Sequence, residues 1–132
     1  MPAKSSFDYA VVRVVPRVER EEFVNAGVIL FCLERDFLEA RVELDRARVL
    51  ALWPAADLAL IDEHLAAVPR ICRGGEGSGP IGRLSLRERF HWLVAPRSTV
   101  LQVGPVHSGL CQDPAQALEE LMNGRVRAPP AG

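Results

Sequence analysis

The sequence predicts an α+β fold: one domain, built on a mainly antiparallel sheet of four to five strands with about four helices packed against it. Three observations predict it. Strand-like apolar runs follow one another early in the chain, over 8–15, 26–33 and 37–44. The segments joining them are short and polar, so neighbouring strands pair as hairpins. Helical periodicity appears only later, with Leu58, Ile61, Leu65 and Val68 recurring at steps of three and four. A chain of 132 residues has room for one core.

Residues 1–7 read as a flexible start, 8–124 as the domain and 125–132 as a flexible tail. The first strand, 8–15, is apolar on both faces apart from Arg13, which suits a central strand covered on each side. Pro16 ends it, having no N–H for the ladder. The second strand is continuously apolar. Glu34-Arg35-Asp36 is turn material, and the third strand then alternates, with Leu38, Ala40, Val42 and Leu44 inward and Glu39, Arg41 and Glu43 outward.

Asp45 is the N-cap expected for a short helix ending at Trp53 before Pro54. The next helix is expected to end or kink at Pro69. Five glycines and a proline make 73–82 a loop. Ser85 and Glu88 form a capping box, with Leu86, Phe90 and Leu93 on one helical face behind it. Phe90, Trp92 and Val94 also alternate as a strand would. A fourth strand is expected over 99–103 and a short fifth over 106–108. Asp113-Pro114 opens a last helix that Gly124 should stop. The helices are expected on one side of the sheet.

Composition excludes several classes. The formal net charge is -1, against a nucleic-acid binder driven by global charge. No apolar run approaches the roughly 18 residues of a membrane helix, and the first residues lack a signal-peptide pattern, so a cytoplasmic protein without membrane contact is expected. Cys32, Cys72 and Cys111 are widely spaced and odd in number, which fits a reducing compartment rather than a disulfide framework. No metal and no cofactor are expected. All the basic residues but Lys4 are arginine. A G+C-rich coding bias accounts for that excess, so only local clusters carry information.

Gly77-Ser78-Gly79-Pro80-Ile81-Gly82 matches G-x-G-x-x-G, but it follows a helix and contains proline, so it reads as a loop rather than a dinucleotide site. The stretch from Ile81 to Cys111 sets Arg83, Arg87, Arg89 and Arg97 against a single acid, Glu88. Arg87, Arg97, Ser98 and His107 there are candidate anion contacts, since guanidinium forks and hydroxyls suit a phosphate. The plainer reading is that these arginines face solvent or pair with Glu21, Glu22, Glu39 and Glu43. Arg20, Glu22 and Asn25, with Glu21, occupy the polar connection before the second strand, where functional residues often sit. Alternatively, Asn25 organises a turn and Gly27 supplies a special backbone angle. Arg13 is the polar exception in the first strand and a further candidate contact. No nucleophile elbow accompanies Ser98, Ser108, His91 or His107.

The runs Tyr9-Ala10-Val11-Val12-Arg13-Val14-Val15-Pro16, Glu22-Phe23-Val24-Asn25-Ala26-Gly27-Val28-Ile29-Leu30, Phe90-His91-Trp92-Leu93-Val94-Ala95-Pro96-Arg97-Ser98 and Val106-His107-Ser108-Gly109 resemble the bacterial family catalogued as domain of unknown function 3037. One departure is Ala26, where the family is expected to carry valine. The resemblance implies no known reaction and carries over no catalytic residue. It implies a protein encoded beside kinases similar to those of toxin–antitoxin modules. The expectation is therefore a non-catalytic accessory or regulatory module that binds a partner protein, a kinase-like neighbour first among them. The alternatives are an enzyme acting on a phosphorylated or anionic small molecule, with Arg87, Arg97 and His107 holding the anion and Glu22 as base, and a nucleic-acid binder using the Arg83 to Arg97 stretch.

Overall fold

The computed structural model describes residues 3–97 and 99–127. It is an α+β domain in which a five-stranded antiparallel sheet carries helices on both faces. Strands β1 (Ser5–Val14), β2 (Val24–Cys32) and β3 (Phe37–Val42) form two successive hairpins. Strands β4 (Leu101–Val103) and β5 (His107–Cys111) share the other side of β1. β5 runs along Ser5–Tyr9 and β4 along Val12–Val14, and between them the Gly104 N–H donates to the Val11 carbonyl at 2.9 Å.

Alternation along β1 assigns the layers. Ala10, Val12 and Val14 are fully buried. Val12 and Val14 pack, with Ile29, Phe31, Leu38 and Ala40, under helices α1 (Arg46–Leu52), α2 (Leu58–Arg73) and α3 (Leu86–Val94). Phe7 and Tyr9 point the other way and pack with Val28, Leu30 and Cys32 under α4 (Pro114–Arg125), which contributes Leu118 and Met122. Each of those fully buried side chains contributes about 1.5–3 kcal/mol. The helices are thus not gathered on one side. The two apolar faces of β1 both need a cover, and α4 supplies the second.

Side-chain caps start all four helices. Asp45, Asp57 and Asp113 accept from Arg48, Leu60 and Ala115 N–H groups at 3.1, 3.1 and 3.0 Å. Ser85 and Glu88 form the capping box, and its register resolves the helix–strand ambiguity of 86–94 in favour of helix.

Several boundaries move. β1 begins at Ser5 rather than residue 8, because Phe7 is needed in the α4 layer and β5 pairs with this end. β5 covers His107–Cys111 rather than 106–108. α2 continues through Pro69 to Arg73, with Val68 and Cys72 both buried against the core. α4 passes Gly124, and Val126 is buried behind it. Residues 125–127 are therefore packed chain, while 128–132 lie outside the described residues.

Gly27 does not supply an unusual backbone angle. A Cβ there would lie 2.6 Å from the Arg41 carbonyl oxygen and 2.9 Å from Val42, so glycine is required by the close approach of β3. The left-handed residue of the connection is Glu21, at φ 59°, which closes a 3-10 turn over Val18–Arg20.

Candidate functional site

α4 covers only part of its face. Past its C-terminal end the sheet presents a polar row, because Arg13 on β1 pairs with Asn25 on β2 and with Gln102 on β4. Cross-strand partners lie on one face. A register shift between Val12 and Arg13 inserts Ala26 as an extra residue and brings Asn25 to the α4 side. Asn25 Nδ2 there donates to the Arg125 carbonyl at 2.9 Å, holding the last turn of α4 against the sheet. On the same face Tyr9 pairs with His107, their ring centroids 5.4 Å apart, and Arg125 Nη2 lies 3.5 Å from the Tyr9 hydroxyl. The structure therefore brings Arg13, Asn25 and His107 onto one face with Tyr9 and Arg125.

Arg13 is held in a slot. The Phe23 ring lies over its guanidinium carbon at 4.2 Å, and Gly104 lies against it. A Cβ on Gly104 would be 2.9 Å from Arg13 Nη2. Among the described residues, Arg13 Nε is the one buried side-chain nitrogen or oxygen without a hydrogen-bond partner. Such an orphaned donor costs about 1–3 kcal/mol. Among the described residues neither Arg13 nor Arg125 is in an ion pair.

The other sequence candidates lie elsewhere. Arg20 pairs with Glu22 on the exposed connection. Arg87 and His91 line a hollow with Asp8 and Glu34 on the opposite face of the sheet, beside α3. Arg97 stacks over Trp92 at 4.1 Å and donates to the Trp92 and Leu93 carbonyls at 2.6 and 3.4 Å, closing the end of α3. Partial burial lowers its pKa. Ser98 lies outside the described residues. Arg89 is buried and donates to the carbonyls of Leu84 at 3.0 Å, Ile71 at 3.1 Å and Cys72 at 2.7 Å, tying α3 to the end of α2. Arg83, in contrast, is exposed on a 3-10 turn. The Arg83 to Arg97 stretch is thus not one charged surface. Phe90 is buried, and Trp92, stacked by Arg97 yet 39% exposed, is left as a lone aromatic where successive bases would need several stacking surfaces.

A clamp fixes α4 at its β3 side. Arg127 bridges Glu43 at 2.8 Å and also Glu119, and Glu119 in turn pairs with Arg41. Hydrogen bonds from Arg127 hold both carboxyl groups below their ordinary pKa, and the two glutamates raise that of Arg127. On the other side of α4 a groove of about 500 Å³ runs along β5 over Phe7 and Cys111, walled by Ala117 and Leu121, with Arg125 at its lining. Burial pushes the Cys72 thiol up to about 12 and raises Cys111, which makes both poor nucleophiles. Among the described residues no three His, Cys, Asp or Glu side chains gather as a metal site. No described helix is long and apolar enough to cross a membrane.

Sequence reasoning missed Phe23, Gly104 and Arg125. Gly104-Pro105 between two strand-like runs was a signal that the backbone turns at close quarters there. No curated protein and no solved structure matches the chain. The model of the family described as a protein of unknown function, DUF3037, matches residues 9–126, and three of its resembling phrases supply Tyr9, Arg13, Phe23, Asn25 and His107 to this one face; the chain belongs to DUF3037.

Proposed function

We propose that the chain is an accessory module that acts by binding a partner protein, and that the partner presents an acidic segment to the open end of the α4 face. The observation that carries this reading is the exposed Phe23–Arg13 stack. Phe23 is 45% exposed although it is a large aromatic, and Val106, in the same connection as Gly104, is 44% exposed. Aromatic and arginine side chains together are the composition of interface hot spots. Two guanidiniums without ion pairs among the described residues favour a partner carrying carboxylates. The family resemblance makes a kinase-like neighbour the first partner to test.

Affinity purification from the native host tests the reading. The wild-type chain should retain a stoichiometric protein, and the double variant Phe23→Ala, Arg125→Glu should lose it. Arg87→Glu, on the opposite face, should keep it. Retention by the double variant, with unchanged circular dichroism, would sink the proposed surface.

A further inference from the structure

We infer that Arg13, held between Phe23 and Gly104, is the recognition element of an oxyanion site, its fork taking a carboxylate or phosphate group edge-on. This deepens the partner-binding reading by naming the group that such a partner would present.

Four observations carry it. The first is the orphaned donor: Arg13 Nε is buried and unpartnered, whereas buried donors in folded proteins are nearly always satisfied. The second is the fixed orientation of the fork. The Phe23 ring covers the guanidinium carbon at 4.2 Å and the Gly104 backbone lies close against the side chain, so the plane is set before any ligand arrives. A planar fork held in advance loses less freedom on binding an oxyanion than a free side chain does. The third is the close fit. A Cβ at Gly104 would fall 2.9 Å from Nη2 and 3.2 Å from Nε, so the guanidinium can lie against this backbone only because residue 104 is glycine. The fourth is charge. Arg13 has no ion pair among the described residues, and its cross-strand neighbours are the neutral Asn25 and Gln102.

Buried guanidiniums do not look like this when their role is packing. Arg89 has an acceptor on Nε and two on Nη1, all backbone carbonyls. Nothing of that kind meets Arg13 among the described residues. An oxyanion that accepts from Nε and the adjacent Nη in parallel would complete it in the bidentate manner that favours arginine over lysine.

The test is a nuclear magnetic resonance titration of the full ¹⁵N-labelled chain with sodium phosphate and with sodium acetate, against sodium chloride at matched ionic strength. The Arg13 Nε–H and Gly104 amide resonances should shift and saturate with phosphate or acetate and not with chloride. Arg13→Lys keeps the charge and loses the fork, so the Gly104 response should weaken at least about tenfold. Should that variant fail to fold, the Nε–H titration of the unaltered chain still decides. A shift that is linear and the same in chloride, as a resident water on Nε would give, overturns the site. An unchanged Gly104 response in a folded Arg13→Lys chain also overturns it.

Competition then separates the sources. Phosphate that displaces the captured partner assigns the oxyanion to the partner. Phosphate that binds but leaves the partner in place assigns it to a free ion. Partner capture without any Nε–H response overturns the oxyanion site and leaves the partner-binding reading standing.

Discussion

Each face of the sheet keeps one guanidinium close to its core, and the two are treated in opposite ways. On the α1–α3 side Arg89 is buried and its nitrogens reach three backbone carbonyls. On the α4 side Arg13 is half-buried, stacked under Phe23, and its Nε reaches nothing among the described residues. The first is a fastener. It supplies donors to the carbonyls of Ile71 and Cys72 at the end of α2, where no further helical turn exists to supply them. The second carries an unsatisfied donor that only the Phe23 stack offsets inside the described chain, which is the pattern of a group kept for a ligand. The residue type is the same in the two cases. The hydrogen-bond inventory tells their roles apart.

Mutation should widen that difference. Arg89→Met orphans three carbonyls and should cost the most, about 2–4 kcal/mol, read as a lower urea midpoint at unchanged m-value. Gly27→Ala forces a Cβ against the Arg41 carbonyl and should cost about 1–3 kcal/mol by the same measurement, since backbone on both strands must give way. Arg127→Ala removes the clamp on the α4 side. The carboxyl groups of Glu43 and Glu119 are held below the ordinary value of 4.5 in the fold. Their contribution is therefore present above that pH and is lost as pH falls through the depressed values. Thermal midpoints of wild type and variant should differ by a few degrees near neutrality and converge in acid. Arg13→Met should do least, changing stability by less than about 1 kcal/mol in either direction, because it removes an orphaned donor along with a stacked cation. A large loss on Arg13→Met would make the two guanidiniums alike and break the comparison.

Much of this architecture was written locally. The three hairpin strands, the Asp45 cap and the Ser85–Glu88 box follow from alternation and capping chemistry, which act within a few residues. What was not legible depends on chain brought from far away. Asn25 reads as a turn residue until the shift at Ala26 places it across from Arg13 and beneath α4. Gly27 reads as a backbone-angle glycine until β3 arrives beside it. Pro69 is tolerated because Val68 and Cys72 anchor the helix on either side of it, and Arg89 caps the end. Arg89 itself was recoverable. It lies three residues after Leu86 and one before Phe90, within the buried stripe of α3, and helical spacing alone places it inward. Arg13 was visible as an exception in an apolar strand. That its Nε would be left without an acceptor was not, because Phe23 and Gly104 come from two other connections.

The three thiols are distributed between the layers: Cys72 belongs to the α1–α3 core, Cys32 and Cys111 to the α4 core, and all are buried. Each layer therefore carries its own clock for opening. Cys111 lines the groove beside α4, but a thiol reagent reaches Cys32 or Cys72 in the native chain only in the fraction of time that a layer is parted from the sheet. Equal labelling rates at Cys32 and Cys72 mean that both layers leave together in one global event. Faster labelling of Cys32 means that α4 lifts by itself, exposing the sheet surface beside Arg13 while the other half of the molecule stays folded.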